Sequence, residues 1–228
     1  MPVFKRTSDI QHQKGFNILV YGGAGIGKTS LIPTLPTPII LSAEGGLASI
    51  MHNDLPYIDI NSIETLREAT GWLTKSKEAQ QYESIAVDSI SEIAEFILAK
   101  EKEGKVDQRA AYGVMQEKIS LFIRSLRDIP LHVYATAKLE RAQDETQQML
   151  YSPSMPGTKL GNLLPYFFDE VLALRIEAIG KEGIRQRALQ CHPDGKYVAK
   201  DRSGKLDPWE IDTNLGKIIT KMASGVSK

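Results

Sequence analysis

Residues 22–29 run Gly-Gly-Ala-Gly-Ile-Gly-Lys-Thr, the spacing G-x-x-x-x-G-K-T. Glycines placed this way let the backbone curl until its N–H groups converge on an anion, and a helix opening just after them adds positive potential. A lysine beside the last glycine reaches the β- and γ-phosphates of a nucleotide, and the hydroxyl residue after it holds magnesium. The expected ligands are therefore ATP and Mg2+. Gly22, Gly23, Ala24, Gly25, Ile26, Gly27, Lys28, Thr29 and Ser30 would surround the phosphates, with Thr29 on the metal and Lys28 stabilising the transferred phosphoryl group.

Hydrolysis at such a loop needs two acids, one for the metal and one for the attacking water. Asp88 closes the apolar run SIAVD (84–88), which puts its carboxylate at the C-terminal end of a strand, where α/β sheets bind ligands. We expect it beside magnesium. Asp also suits the N-cap of a helix opening at Ser89, and the two roles are compatible. Many ATPases with this loop place the water-activating glutamate directly after the metal aspartate, but here that residue is Ser89. The other acid at a strand end is Glu44, after TPIILSA (37–43). It is the expected general base, with a solvated turn residue before Gly45 and Gly46 as the alternative.

These residues need a scaffold that brings distant strand ends to one edge. FNILVY (16–21), TPIILS (37–42), SIAVD (84–88) and LHVYATA (131–137) read as buried strands. Between them, 28–35, 62–77, 89–99 and 109–127 repeat apolar residues at helical spacing. Alternation of this kind predicts a mostly parallel central sheet flanked by helices. Past a connector at 139–157, the runs 170–178, 184–191 and 196–200 read as antiparallel strands, with a short helix over 212–222. The expectation is an arm at 1–15, available for subunit contact or frayed, and one α/β core at 16–228.

Apolar residues make up 42% of the 228-residue chain and charged residues 25%, which excludes disordered and fibrous classes. The 28 Lys and Arg balance 28 Asp and Glu, so any nucleic-acid contact must come from a local basic surface. The single cysteine, Cys191, excludes an internal disulfide and a four-cysteine zinc site, and suits a reducing cytosol. No stretch approaches the roughly 20 apolar residues of a membrane span. The expected setting is the cytoplasm.

Taken together, the loop at 22–29, the strand ending Ser-Ala-Glu44, the Val-Asp88-Ser89 strand end and the strand ending Ala-Thr136-Ala-Lys138 resemble the RecA-type recombinase core over residues 16 to about 202. The segment 155–175 and the chain's length resemble the phage-encoded, core-only RecA-like single-strand annealing proteins, a group of phage AAA domain P-loop proteins. The resemblance implies a RecA-type P-loop NTPase fold. It gives Glu44 the family's catalytic glutamate role and puts Thr136 near the polar sensor of the γ-phosphate, with Lys138 as a substitute. It further implies that Lys200 and Arg202 reach ATP held by a neighbouring subunit, an exposed hairpin with ordinary surface charges being the other reading.

The same resemblance makes 139–162 the single-strand-binding region, with Arg141 and Lys159 toward phosphates and Tyr151 or Met149 against bases. A β-hairpin turning at 144–146 is the other reading of that connector. Lys100 to Arg109 holds the position of a second mobile loop, although interleaved acids read there as a solvated helix end. The implied partners are single-stranded DNA, further copies of the chain in a ring or filament, and a single-strand-binding protein. The implied activity is ATP-dependent annealing or strand exchange. Its rivals are a protein-directed accessory ATPase and a small-molecule kinase, the latter weakened by the lack of an arginine-rich lid.

Overall fold

The computed structural model describes residues 15–104, 107–143, 147–179 and 184–224. Residues 1–14 of the expected arm, Lys105, the expected turn at 144–146 and Gly183 lie outside them. Four strands read from the sequence as buried, and one read among the C-terminal antiparallel strands, form the middle of the sheet: β1 (Asn17–Gly22), β2 (Pro38–Ser42), β4 (Ser84–Asp88), β5 (His132–Gln143) and, last, β7 (Glu170–Ile179). With the short edge strand β3 (Tyr57–Asp59), β8 (Ile184–Gln190) and β10 (Trp209–Glu210), the order is β10-β8-β7-β1-β5-β4-β2-β3. All pairs from β7 to β3 are parallel, while β8 pairs antiparallel with both β7 and β10. The central strands are apolar on both faces because helices cover both.

One face carries α1 (Ile63–Lys75), α2 (Ile90–Lys102), α3 (Arg109–Arg127) and α4 (Thr158–Phe167), packed on Leu19, Tyr21, Leu41, Val87 and Ala135. The other carries the 3-10 turns at Thr29–Thr34 and Leu47–Asn53 with α5 (Leu215–Ala223), packed on Ile18, Val20, Ile40 and Tyr134. Helix starts follow from their caps. The Ser62 hydroxyl accepts from Thr65 N–H at 3.0 Å while Thr65 Oγ1 accepts from Ser62 N–H at 3.1 Å, a reciprocal capping box. Ser89, rather than Asp88, caps α2, accepting from Glu92 N–H at 3.3 Å.

Two expectations need correction. The helix expected over 28–35 is a six-residue 3-10 turn, because Pro33 inside it lacks an N–H to continue an α-helical ladder. Its dipole is correspondingly small. Of the two readings of the connector at 139–157, the strands pair as the hairpin reading has them: β5 runs on to Gln143 and pairs antiparallel with β6 (Met149–Pro153). The strand expected at 196–200 reduces to β9 (Lys200–Asp201) and a single bridge between Tyr197 and Tyr151. A helix that no sequence expectation covers is α4, with Gly161 and Pro165 inside it.

Register explains how the sheet builds the site. β1 ends at Gly22 opposite Lys138, yet β5 continues past that level to Gln143. On the other side β1 is last paired at Tyr21 with Ala173, and β7 continues to Ile179 with β8 beside it. Two β-ribbons thus project beyond the C-terminal edge, one on each side of the glycine loop.

Candidate functional site

The loop leaves β1 at Gly22, whose hydrogen stands where a Cβ would lie 2.8 Å from the Leu174 carbonyl oxygen of β7. Gly27 has φ +96°, a conformation that an L side chain adopts only under strain. Lys28 folds back over the loop, donating to the carbonyls of Gly22 at 3.0 Å and Gly23 at 3.1 Å. Burial lowers the Lys28 pKa below the ordinary lysine value, although the negative charges of Glu44 and Asp88 oppose the shift. From beneath, the buried Tyr134 hydroxyl of β5 donates to the Lys28 carbonyl at 2.8 Å.

Asp88 is fully buried and holds two hydroxyls. Thr29 Oγ1 donates to its Oδ2 at 2.8 Å, and Thr136 Oγ1 donates to its Oδ1 at 2.5 Å. The Asp88 carbonyl in turn accepts from the N–H groups of Ala43 at 2.7 Å and Glu44 at 3.2 Å, which fixes the end of β2 against the end of β4. Glu44 is exposed above this junction, and the Ser89 hydroxyl donates to its Oε1 at 2.5 Å. The peptide between Asp88 and Ser89 is cis.

The donor set fits magnesium. Thr29 and Asp88 bring one hydroxyl and one carboxylate oxygen together, both hard ligands, and Mg2+ takes its remaining ligands from phosphates and water. Among the described residues no group of three His, Cys, Asp or Glu side chains forms a separate metal cluster.

The loop residues 22–29, Asp88 and Glu44 are therefore brought to one edge of the sheet, while other expected site residues lie elsewhere. Thr136 is fully buried and its hydroxyl serves Asp88, so it has no free surface for a γ-phosphate. Lys138 is engaged with Glu92 at 2.8 Å and Glu95 at 2.9 Å on α2. Lys200 and Arg202 sit at the far edge, because β9 pairs with the first residues of β7, which stand level with the start of β1. There Lys200 Nζ donates to the Pro165 and Phe168 carbonyls at the end of α4, and Arg202 pairs with Asp169 at 2.6 Å. These two cations do not reach the glycine loop of their own chain.

Arg141 and Tyr151 face each other across the β5–β6 ribbon, with the guanidinium 5.7 Å from the ring centre. Tyr151 is stacked on Tyr197 at 4.4 Å, and Arg175 covers the Tyr197 ring at 3.7 Å. Tyr151 thus offers a base at most the face that Arg141 overlies. Lys159 is exposed near the start of α4. Sequence reasoning missed the partners Ser89 and Tyr134. The serine directly after the metal-side aspartate, where many ATPases with this loop carry an acid, was the available signal for the first, whereas an apolar run gave none for the second.

The AAA domain family matches residues 14–203 of the chain. No curated protein matches it. Among solved structures, it is similar to a KaiC-like protein from the hyperthermophilic archaeon Pyrococcus horikoshii OT3, at 13% identity over 77% of each chain with a TM-score of 0.47. It is also similar to a prototypical ATPase from the type III secretion system of pathogenic bacteria, at 15% identity and a TM-score of 0.51. That match covers 71% of this chain and 51% of the secretion ATPase, about half its length, and the shared feature is the fold.

Proposed function

The chain belongs to the AAA domain family, and from that premise we propose that it hydrolyses ATP with magnesium and couples the cycle to single-stranded DNA as a recombinase or annealing protein. The observation that carries the hydrolytic part is the convergence of Thr29, Asp88, Thr136, Ser89 and Glu44 at two adjoining strand ends.

In this reading Thr29 and Asp88 hold magnesium, which when bound offsets charge on the phosphate oxygens. Glu44 orients a water in line with the γ-phosphorus and takes its proton as the water oxygen bonds to phosphorus. The bond from the γ-phosphorus to the bridging oxygen breaks, and its electron pair stays with ADP. Ser89 holds Oε1 of Glu44, leaving Oε2 to receive the proton. Lys28, already on the loop, supplies positive charge to the transferred group.

Support for the DNA part is positional. The two ribbons that flank the loop carry Arg141, Arg175 and Tyr151, with Tyr197 stacked on Tyr151, a mixture of cations and aromatic rings suited to single strands. The test is the ATPase rate with and without single-stranded DNA for wild type, Lys28→Ala and Glu44→Gln. Stimulation by DNA, lost in both variants, is the expected result. ATP hydrolysis without any binding to single strands at low salt would instead support an accessory ATPase acting on protein.

A further inference from the structure

Arg187 was not singled out in the sequence, and it lies on the glycine loop. It belongs to β8, two strands away from β1, but the β7–β8 ribbon rises past the sheet edge and carries its side chain back over the loop. A Cβ built on Gly27 would stand 2.3 Å from Arg187 Nη1 and 3.5 Å from Ser30 Oγ, so the guanidinium rests on the turn that leads into Lys28. Its charge also reaches the Tyr134 hydroxyl beneath the loop, where it works against the burial that raises the tyrosine's pKa.

The neighbouring cations contrast with it. Arg175 pairs with Glu177, Lys138 with Glu92 and Glu95, and Arg202 with Asp169. Arg187 is exposed, and among the described residues no hydrogen bond or ion pair engages it. An arginine held against a phosphate-binding turn without a carboxylate partner presents its planar set of donors to an incoming anion.

The direction of approach narrows the ligand atoms. Glu44 and Asp88 stand on the β2 and β4 side of the loop, whereas Arg187 comes from the β7 and β8 side, over Gly27 and Ser30. We propose that Arg187 is a nucleotide-binding residue of the same chain that contacts the non-transferred α- and β-phosphates of a bound nucleoside di- or triphosphate. The assignment rests on the nucleotide reading of the loop.

Affinity for Mg-ADP and Mg-ATP, measured by calorimetry on wild type, Arg187→Ala, Arg187→Lys and Arg185→Ala, tests it. Arg185 lies two residues further out on the same strand and controls for loss of one positive charge. Arg187→Ala is expected to weaken both nucleotides to a similar degree, by roughly tenfold to a hundredfold, with KM raised and kcat within about threefold of wild type. Arg187→Lys should recover part of the loss, and Arg185→Ala should bind like wild type. Unchanged or tighter binding in Arg187→Ala overturns the assignment, as does a fall in kcat with affinity intact, which would place the arginine on the reacting phosphate. A wild-type chain that binds neither nucleotide would sink the nucleotide reading itself.

Discussion

The Ser89 hydroxyl donates to Glu44 Oε1 at 2.5 Å, so the residue directly after the metal-side aspartate grips an acid on the next strand. An acid in the position of Ser89 would approach the site from β4; here the acid arrives from β2 and the serine orients it. Glu44→Gln is expected to lower kcat by roughly a hundredfold to ten-thousandfold with ATP binding retained. Ser89→Ala should lower kcat by about tenfold and leave KM near wild type. Equal activity in Glu44→Gln and wild type would remove Glu44 from the base role.

Thr136 is expected to act through Asp88 alone. Thr136→Val keeps the volume but leaves Asp88 Oδ1 without its buried donor. The Mg2+ concentration for half-maximal ATPase activity should rise by roughly tenfold to a hundredfold. Thr136→Ser should restore it. A Val variant with wild-type magnesium dependence but altered response to the γ-phosphate would return Thr136 to a sensing role.

Glu170 opens β7 fully buried, with Oε2 free of hydrogen bonds and Asp201 as its cross-strand neighbour. Burial first, and then the Asp201 charge, push its pKa to about 8. A glutamate with a raised folded-state pKa stabilises the fold through its neutral form. That contribution is complete below the ordinary glutamate pKa and is lost as pH rises through about 8. Melting temperature should therefore fall between pH 4.5 and about 8, and Glu170→Gln should flatten the profile. An unchanged slope in the variant would show that another group titrates.

If the ribbons hold a single strand by its phosphates, binding must weaken with salt. Arg141→Ala is expected to reduce the slope of log affinity against log salt by about one, with little dependence on base sequence. Tyr151→Ala should cost less than the roughly 1–3 kcal/mol of an open stacking platform, because Tyr197 already occupies one of its faces. A larger loss for Tyr151→Ala than for Arg141→Ala would mean that the stack opens to admit a base.

The parts of the structure legible in the sequence share one property: their signal is local. Strands such as SIAVD are apolar throughout because helices cover both faces, and the glycine loop is a contiguous motif. The bond from Thr136 to Asp88 was not legible because the two are 48 residues apart, and nothing in ATAK distinguishes a hydroxyl that holds a carboxylate from one that faces a phosphate. The second half of β5 escaped because LERAQ leaves the core, and a strand that buries little loses its apolar alternation. The same holds for β3, an edge strand of three mostly exposed residues. Pro33 is the local signal for the short turn after Lys28, against the apolar spacing of 28–35 that favours a longer helix.

β5 joins the site to the ribbon without a break. Thr136, under Asp88, and Arg141, on the ribbon, are five residues apart on one strand, about 17 Å at the rise of an extended chain. An extended, hydrogen-bonded strand resists stretching, so a shift at Asp88 would travel to the ribbon as the tilt of a stiff rod pivoting where β5 leaves β1 at Lys138. Such a lever needs no order–disorder change in a loop, and its stroke is set by geometry: a small rotation at the buried end becomes a larger sweep at the tip.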